Sequence, residues 1–152
     1  NYHNELMNDL IPAVEGTYST YADNVTPEGI KASRDHRAFG GFSMGSVATW
    51  HTFLNCLDAF RYFMPSSGAI DSTGNRLDRA VAESGYTWSD FFIFAATGTD
   101  DFACSQFTNQ INGMLGQESG NFREADNETE GNLAFRIKEG YSHDGRASTE
   151  YA

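Results

Sequence analysis

Residues 91–96 read FFIFAA, six consecutive apolar residues that form the strongest strand signal in the chain. A strand with one solvent-facing side alternates apolar and polar residues, whereas an uninterrupted apolar run is typical of a strand buried on both faces. Strands of that kind belong to parallel sheets that are covered by helices. Residues 91–96 therefore predict an α/β fold.

Segments with strand and helix patterns alternate on both sides of this run. Short apolar runs predict strands at residues 37–42, 60–64, 91–96 and 133–137. Apolar residues at helical spacing predict helices at residues 4–15, 44–54, 76–82 and 105–115. The polar residues 16–36, which contain glycines and a proline, predict a loop with one short turn of helix. This order predicts a doubly wound α/β domain, with a mostly parallel sheet, helices on both faces and right-handed crossovers.

Length and charge limit the classes of protein to consider. The 152 residues, of which 39% are hydrophobic and 14% aromatic, suffice for a single domain with its own core. Twenty-one acidic residues against 10 basic ones give a formal charge of −11, which repels phosphate backbones and anionic lipid surfaces. We therefore expect neither a nucleic acid nor a membrane as a partner. The acidic residues 116–132 lack the register of a calcium-binding EF-hand and predict a solvated surface loop.

Cysteine and lysine usage adds two weaker expectations. Cys56 and Cys104 have no metal-binding spacing, and we expect both thiols to be free or buried. A composition rich in Ser, Thr, Gly and Asn, with Lys31 and Lys138 as its only lysines, is common in secreted proteins and favours an extracellular location. The chain begins with no basic and apolar leader segment, and it contains no apolar run of the roughly 18–20 residues that a membrane-spanning helix needs.

A G-x-S-x-G motif, Gly41 to Gly45, lies between the predicted strand 37–42 and the predicted helix 44–54. A serine on so sharp a turn has a strained backbone, and Gly41 and Gly45 leave room for the strand and the helix to approach each other. Ser43 is then a candidate nucleophile, and the backbone N–H of Met44 a candidate oxyanion donor at the helix N-terminus. An ordinary glycine-rich turn between strand and helix is the alternative interpretation.

A serine hydroxyl needs a base and a carboxylate to act as a nucleophile at neutral pH. Asp100 and Asp101 follow the strand 91–96, and His143 follows the last predicted strand. The order Ser, Asp, His, with each residue at the end of a strand, suits a nucleophile, an orienting acid and a base. The remaining histidines, which are His3, His36 and His51, are interpreted as surface or packing residues.

Six stretches of this sequence resemble the esterase D group of α/β-hydrolases, and within it the feruloyl esterase modules of carbohydrate esterase family one that are attached to bacterial xylanases. The stretches are ELMNDLIPAVE at 5–15, GFSMG at 41–45, NCLD at 55–58 with YFMP at 62–65, AATGTDD at 95–101 and GYSH at 140–143. The resemblance extends over nearly the whole chain. It implies Ser43 as nucleophile, His143 as base and Asp101, in preference to Asp100, as the acid.

The resemblance also implies a function. It points to a secreted serine carboxylesterase that hydrolyses feruloyl (hydroxycinnamoyl) esters of plant cell-wall xylan through an acyl-enzyme, with no metal and no cofactor. The expected substrates are feruloylated arabinoxylan or small aromatic esters, and fusion to xylanase or carbohydrate-binding modules is expected as well. The alternatives are an acetyl-xylan or other small acyl-ester hydrolase of the same fold, and a non-catalytic carbohydrate-binding relative.

The sequence departs from the family pattern in two respects. The family's His-Gly-rich oxyanion loop and first strands have no counterpart here, so we expect residues 1–152 to be the carboxyl-terminal part of an α/β-hydrolase domain, weakly active or inactive in isolation. Tryptophans that shape the acyl pocket in some relatives are replaced by Ala69-Ile70-Asp71 and by Asp144-Gly145. The ester chemistry therefore carries over more safely than the feruloyl preference.

Overall fold

A computed structural model of the protein describes residues 2–145 and 149. Its centre is a sheet of four parallel strands in the order β1-β2-β3-β4. The strands are β1 (Ala38–Phe42), β2 (Tyr62–Ser66), β3 (Phe92–Gly98) and β4 (Leu133–Lys138). Because successive strands are neighbours and run in the same direction, each connection returns across the sheet and carries a helix or a long loop. The predicted parallel α/β architecture is confirmed.

The three helices between the strands lie close to their predicted positions. They are Met44–Asn55, Asn75–Ser84 and Cys104–Leu115. We name the first the elbow helix, because it follows the G-x-S-x-G turn. The first helix contacts the second, and the second contacts the third. The elbow helix also packs on β1 and β2. Within the described residues no helix combines the length and the apolarity that crossing a bilayer would require.

The chain before β1 contains the predicted helix 4–15, which the structure extends at both ends. Helical backbone covers Tyr2–Glu5, a π-helical segment Leu6–Leu10, and Ile11–Thr17. The π-helical segment ends at Leu10, two residues before Pro12, which has no N–H to donate to the preceding turn. Within the predicted loop 16–36 the structure has a helix at Pro27–Ala32 and a 3-10 turn at Arg34–His36. Thr26 caps the first of these by accepting a hydrogen bond from the N–H of Gly29.

Strand β2 contains Pro65, although the sequence predicts that the strand ends before this proline. Pro65 pairs with Gly41 of β1, whereas the register between β2 and β3 includes Tyr62, Phe63 and Ser66 but neither Met64 nor Pro65. A proline cannot donate a hydrogen bond to a sheet, and it is tolerated here where the ladder with β3 is interrupted.

The core lies mainly on one face of the sheet. Its large, fully buried side chains include Trp50, Phe53, Phe63, Phe91 and Phe107. In β3 the side chains alternate between the two faces, so Ile93 and Ala95 join this core while Phe94 and Ala96 belong to a smaller cluster with Tyr141. The run FFIFAA is therefore buried on its core face and half-buried at Phe92 and Phe94.

Candidate active site

Ser43 occupies the turn between β1 and the elbow helix, with a backbone φ of 61° and ψ of −112°. Positive φ is unfavourable for a residue with a side chain, so neighbouring groups must hold this turn in place. The N–H of Ser43 donates to the carbonyl of Ser66 at 2.9 Å, and the carbonyl of Ser43 accepts from the N–H groups of Ser46 and Val47 at 3.0 and 3.2 Å. The turn therefore joins the carboxyl ends of β1 and β2 to the first turn of the elbow helix.

The two glycines of the motif differ in what they contribute. A Cβ added at Gly41 would lie 2.4 Å from the carbonyl carbon and oxygen of Gly45, a distance that no side chain tolerates. A Cβ added at Gly45 meets nothing within 4 Å. Only the position of Gly41 is restricted by the close approach of strand and helix, and the prediction that both positions need clearance is wrong for Gly45.

Ser43, His143 and Asp101 form a continuous line of hydrogen bonds at the carboxyl edge of the sheet. The Nε2 atom of His143 lies 2.8 Å from Oγ of Ser43, and its Nδ1 atom lies 2.9 and 3.0 Å from the two carboxylate oxygens of Asp101. The Asp101 side chain is fully buried, and that of His143 is 17% exposed. A serine hydroxyl, an imidazole and a buried carboxylate at these distances can pass a proton from the hydroxyl to the imidazole.

The neighbouring aspartate Asp100 does not take part in this arrangement. Its side chain is exposed and accepts a long hydrogen bond from the Thr99 hydroxyl at 3.4 Å. The Asp101 carboxylate, in contrast, is fixed by the N–H of Ala103, which donates to it at 2.7 Å. The residue that faces His143 is therefore Asp101.

Among the described hydrogen bonds, none joins His3, His36 or His51 to Ser43, whose hydroxyl contacts His143. His36 stacks on the ring of Tyr21, with 3.9 Å between the ring centroids. His51 lies on the elbow helix, and desolvation together with the positive charges of Arg76 and His3 lowers its pKa. The described contacts support the interpretation of these histidines as packing or surface residues.

Two phenylalanines that sequence reasoning did not single out contact the His143 ring. The ring centroids of Phe42 and Phe102 lie 4.7 and 4.2 Å from the imidazole centroid. Phe42 is half-buried, whereas Phe102 is 81% exposed. Their places in the sequence could have identified them as neighbours of the site, because Phe42 directly precedes Ser43 and Phe102 directly follows Asp101.

The backbone N–H of Met44, the predicted oxyanion donor, lies at the N-terminal end of the elbow helix, directly after Ser43. Met44 is the first residue of the elbow helix, and the first N–H groups of a helix have no carbonyl partner within it. The partial positive charge at a helix N-terminus favours a developing negative charge. The Met44 side chain is 85% exposed, so it leaves this end of the helix accessible.

Residues 67–71, which we call the β2 loop, pack against the Ser43 turn. The Gly68 carbonyl accepts from Oγ of Ser46 at 2.7 Å and from Nε1 of Trp50 at 2.8 Å. A Cβ at Gly68 would lie 2.5 Å from the carbonyl oxygen of Ser43, so the contact between loop and turn leaves no space for a side chain. This loop contains Ala69-Ile70-Asp71.

The buried side chain of Gln110 holds the far end of the β2 loop. Its Oε1 atom accepts hydrogen bonds from the N–H groups of Ile70 and Asp71 at 2.7 and 2.8 Å. Gln110 lies on the helix Cys104–Leu115, where the helical pattern alone gave no sign of a buried polar role.

We expect Gln110→Leu to destabilise the protein by about 2 kcal/mol, because two part-buried backbone N–H groups lose the acceptor that Oε1 of Gln110 provides. Denaturant unfolding of the variant and the wild type measures this difference. The exposed Gln106→Leu on the same helix serves as a control, for which we expect a change within about 0.5 kcal/mol. Equal stability of Gln110→Leu and the wild type would contradict the assigned role.

Neither cysteine is in a disulfide, in agreement with the expectation from the sequence. Cys56 is buried, and desolvation together with the charge of Asp58 raises its pKa to about 11. Its thiol is therefore protonated at neutral pH and a poor nucleophile. Across residues 2–145 and 149 there is no group of three His, Cys, Asp or Glu side chains that could hold a metal ion.

Three of the known proteins to which this chain is similar share 38–40% of its residues. The chain is 40% identical over 149 residues to endo-1,4-beta-xylanase Y of Acetivibrio thermocellus, an alignment that covers 94% of this chain and 14% of the xylanase. A solved structure of FAE superposes with a TM-score of 0.93 at 39% identity, over 99% of this chain and 55% of that one. No protein-family model matches the chain.

The third match is a serine-to-alanine mutant of the feruloyl esterase module from Clostridium thermocellum, solved in complex with sinapinate. It superposes with a TM-score of 0.91 at 38% identity, over 99% of this chain and 56% of the module. The chain thus spans little more than half the length of the two solved structures. The comparisons confirm the resemblance to feruloyl esterase modules and the α/β-hydrolase fold.

Proposed function

We propose that this chain, which has the α/β-hydrolase fold and resembles feruloyl esterase modules, provides the nucleophile, base and acid of a serine carboxylesterase. Its proposed substrates are feruloyl (hydroxycinnamoyl) esters of plant cell-wall xylan. The observation that carries the proposal is the unbroken series of hydrogen bonds from Oγ of Ser43 through His143 to the buried Asp101 carboxylate. This series provides both the proton acceptor and the counter-charge that a serine nucleophile requires.

In the acylation step, Oγ of Ser43 attacks the ester carbonyl carbon while Nε2 of His143 accepts the hydroxyl proton. The carbonyl oxygen becomes an oxyanion, to which the N–H of Met44 donates a hydrogen bond. The Asp101 carboxylate accepts from Nδ1–H and stabilises the imidazolium. When the tetrahedral intermediate collapses, the bond to the leaving oxygen breaks and Nε2–H returns the proton to that oxygen. The products are a free alcohol and an acyl group bound to Ser43.

Deacylation repeats these steps with water in place of the serine. Nε2 of His143 accepts a proton from water, and the resulting hydroxide oxygen attacks the acyl carbon. The second intermediate collapses by breaking the bond to Oγ of Ser43, which recovers its proton from the imidazolium. A hydroxycinnamic acid leaves, and the enzyme returns to its starting protonation state. The residues themselves supply every proton transfer.

The relatives support the substrate class. Sinapinate, which is bound in the related module, is a hydroxycinnamate like ferulate, and another relative is a xylanase. We therefore propose feruloylated arabinoxylan as the natural substrate, a fusion to xylanase or carbohydrate-binding modules, and an extracellular location. The proposed function concerns the full-length gene product that contains these residues.

The residues of the β2 loop favour a second candidate function. Ala69-Ile70-Asp71 offers no aromatic side chain to pack against a hydroxycinnamoyl ring, a feature that suits an acetyl-xylan or other small acyl-ester hydrolase. We expect the full-length gene product to prefer 4-nitrophenyl ferulate over 4-nitrophenyl acetate, which has the same leaving group, by roughly tenfold or more in kcat/KM, since a bound aromatic ring contributes about 1–2 kcal/mol. Initial rates on both esters measure the preference. A higher kcat/KM for the acetyl ester would assign the acetyl-ester function instead.

A further inference from the structure

Phe102 stands out because a large aromatic ring next to the reacting groups is left open to solvent. The side chain is 81% exposed, and its ring centroid lies 4.2 Å from that of the His143 imidazole at an interplanar angle of 41°. An isolated exposed apolar residue on a surface requires no explanation. This ring, however, touches the group that the proposed mechanism uses as base and acid.

The ring contributes little to the core or to the anchoring of the imidazole. With four fifths of its surface exposed, Phe102 buries too little area to stabilise the fold substantially. The orientation of His143 is set independently, by the two contacts of Nδ1 with Asp101 and by that of Nε2 with Ser43. One part of the Phe102 ring contacts the imidazole, and no described residue of this chain covers the rest.

The chemistry of the reaction identifies what lies next to this ring. Nε2 of His143 must deliver its proton to the leaving oxygen, so that oxygen comes within about 3 Å of Nε2. The leaving oxygen links the acyl carbon to a carbon of the alcohol part, so the alcohol part begins one bond away from this oxygen. The alcohol part therefore occupies the space around the imidazole, and the exposed ring of Phe102 borders that space.

We propose that Phe102 forms a subsite for the pentose of the leaving alcohol, with the sugar C–H groups packed against the exposed ring face. The π face of an aromatic ring carries partial negative charge, whereas aliphatic C–H groups are weakly positive. The subsite rests on the proposed function, because it assigns the ester's alcohol to a sugar. Phe102 is then a specificity-determining residue for the leaving group, separate from the acyl side of the ester.

Two feruloyl esters with different alcohols test the subsite in the full-length gene product. The substrates are methyl ferulate and a feruloylated arabinoxylo-oligosaccharide, and the measured quantity is the ratio of their kcat/KM values. We expect Phe102→Leu to lower the oligosaccharide-to-methyl ratio about three- to tenfold, mainly through KM, because it keeps an apolar side chain beside His143 but loses the ring face. We expect Phe102→Tyr, which keeps the ring, to leave the ratio within about twofold of the wild type.

An effect on His143 alone would lower both rates together and leave the ratio unchanged, so an unchanged ratio in Phe102→Leu overturns the subsite. A fall of the same size in Phe102→Tyr also overturns it.

A binding measurement tests the sugar subsite independently of the esterase activity. Calorimetric titration of Ser43→Ala with a ferulate-free arabinoxylo-oligosaccharide should show binding that Ser43→Ala/Phe102→Leu weakens.

The two proposals can therefore fail separately. If the wild type hydrolyses neither feruloyl ester, the proposed function fails, and the titration alone decides about the sugar subsite. If both esters are hydrolysed but the Ser43→Ala protein and its Phe102→Leu derivative bind the oligosaccharide equally or not at all, the subsite is wrong and the esterase function stands.

Discussion

Ser43→Ala is expected to lower kcat for methyl ferulate by about 10³- to 10⁶-fold in the full-length gene product, because no other group can form the acyl-enzyme at this position. The fold should persist with a change in unfolding free energy of about 1 kcal/mol or less, since the lost hydroxyl lies in a half-buried turn. Steady-state rates together with circular dichroism measure the two effects. Ser105→Ala, which replaces an exposed serine in the helix Cys104–Leu115, is the matched control and should retain the wild-type rate.

A fluorophosphonate probe tests the same serine without a substrate. An activated hydroxyl attacks the phosphorus and loses fluoride, so mass spectrometry should find one adduct on the peptide that contains Ser43 and none in Ser43→Ala. A non-catalytic carbohydrate-binding relative would give no adduct. Normal turnover of the Ser43→Ala variant, or labelling of another serine in its place, would refute the nucleophile assignment.

Arg37→Met is expected to destabilise the fold by about 3–5 kcal/mol, the usual cost of removing one partner from a buried ion pair. The Arg37 guanidinium lies 2.7 Å from an oxygen of Glu15, and the exposed fractions of the two side chains are 10% and 15%. It also donates to the carbonyls of Ile30 and Ala59 at 3.0 and 2.6 Å. The substitution leaves the Glu15 carboxylate without its counter-charge and both carbonyls without this donor.

Arg136→Met is the matched control for this prediction. Arg136 pairs with Asp126 at 3.0 Å, but the exposed fractions of these side chains are 50% and 77%. Solvent screening limits such a pair to about 1 kcal/mol or less. Denaturant titrations should therefore separate the two arginine variants by at least about 2 kcal/mol. If Arg37→Met is too unstable to purify, Glu15→Gln should show a smaller loss, and equal stability of Glu15→Gln and Arg136→Met would contradict the buried-pair interpretation.

The sheet and its helices could be predicted because their signals are local. An apolar run such as FFIFAA specifies a buried strand whatever it later packs against, and the order of runs and periodic segments implies parallel pairing. The short turn of helix predicted within residues 16–36 is present at Pro27–Ala32, but its position could not be predicted, because six residues are too few for a clear helical period. Pro65 misled the prediction of the end of β2, because the interruption of its pairing with β3 is a property of the sheet.

The candidate site likewise contains residues that local sequence predicts and residues whose roles it does not predict. The G-x-S-x-G turn, the aspartate pair after β3 and the histidine after β4 were found from residues and motifs in single stretches of chain. The roles of Arg37 and Gln110 were not, because their partners lie in distant segments that only folding brings close.

By itself, the sequence determined the parallel α/β architecture, the strand ends at which the reactive side chains lie, and the kind of chemistry that a serine, an aspartate and a histidine in that order support. The residues after β3 left Asp100 and Asp101 open, the family resemblance favoured Asp101, and the tertiary structure places Asp101 against the imidazole. Only the tertiary structure showed that Gly41, and not Gly45, must lack a side chain, and that the Phe102 ring lies beside His143. The physical reason is that periodicity and composition report on burial within a segment. Which of two adjacent residues faces a partner depends on backbone angles and on contacts between segments far apart in the chain.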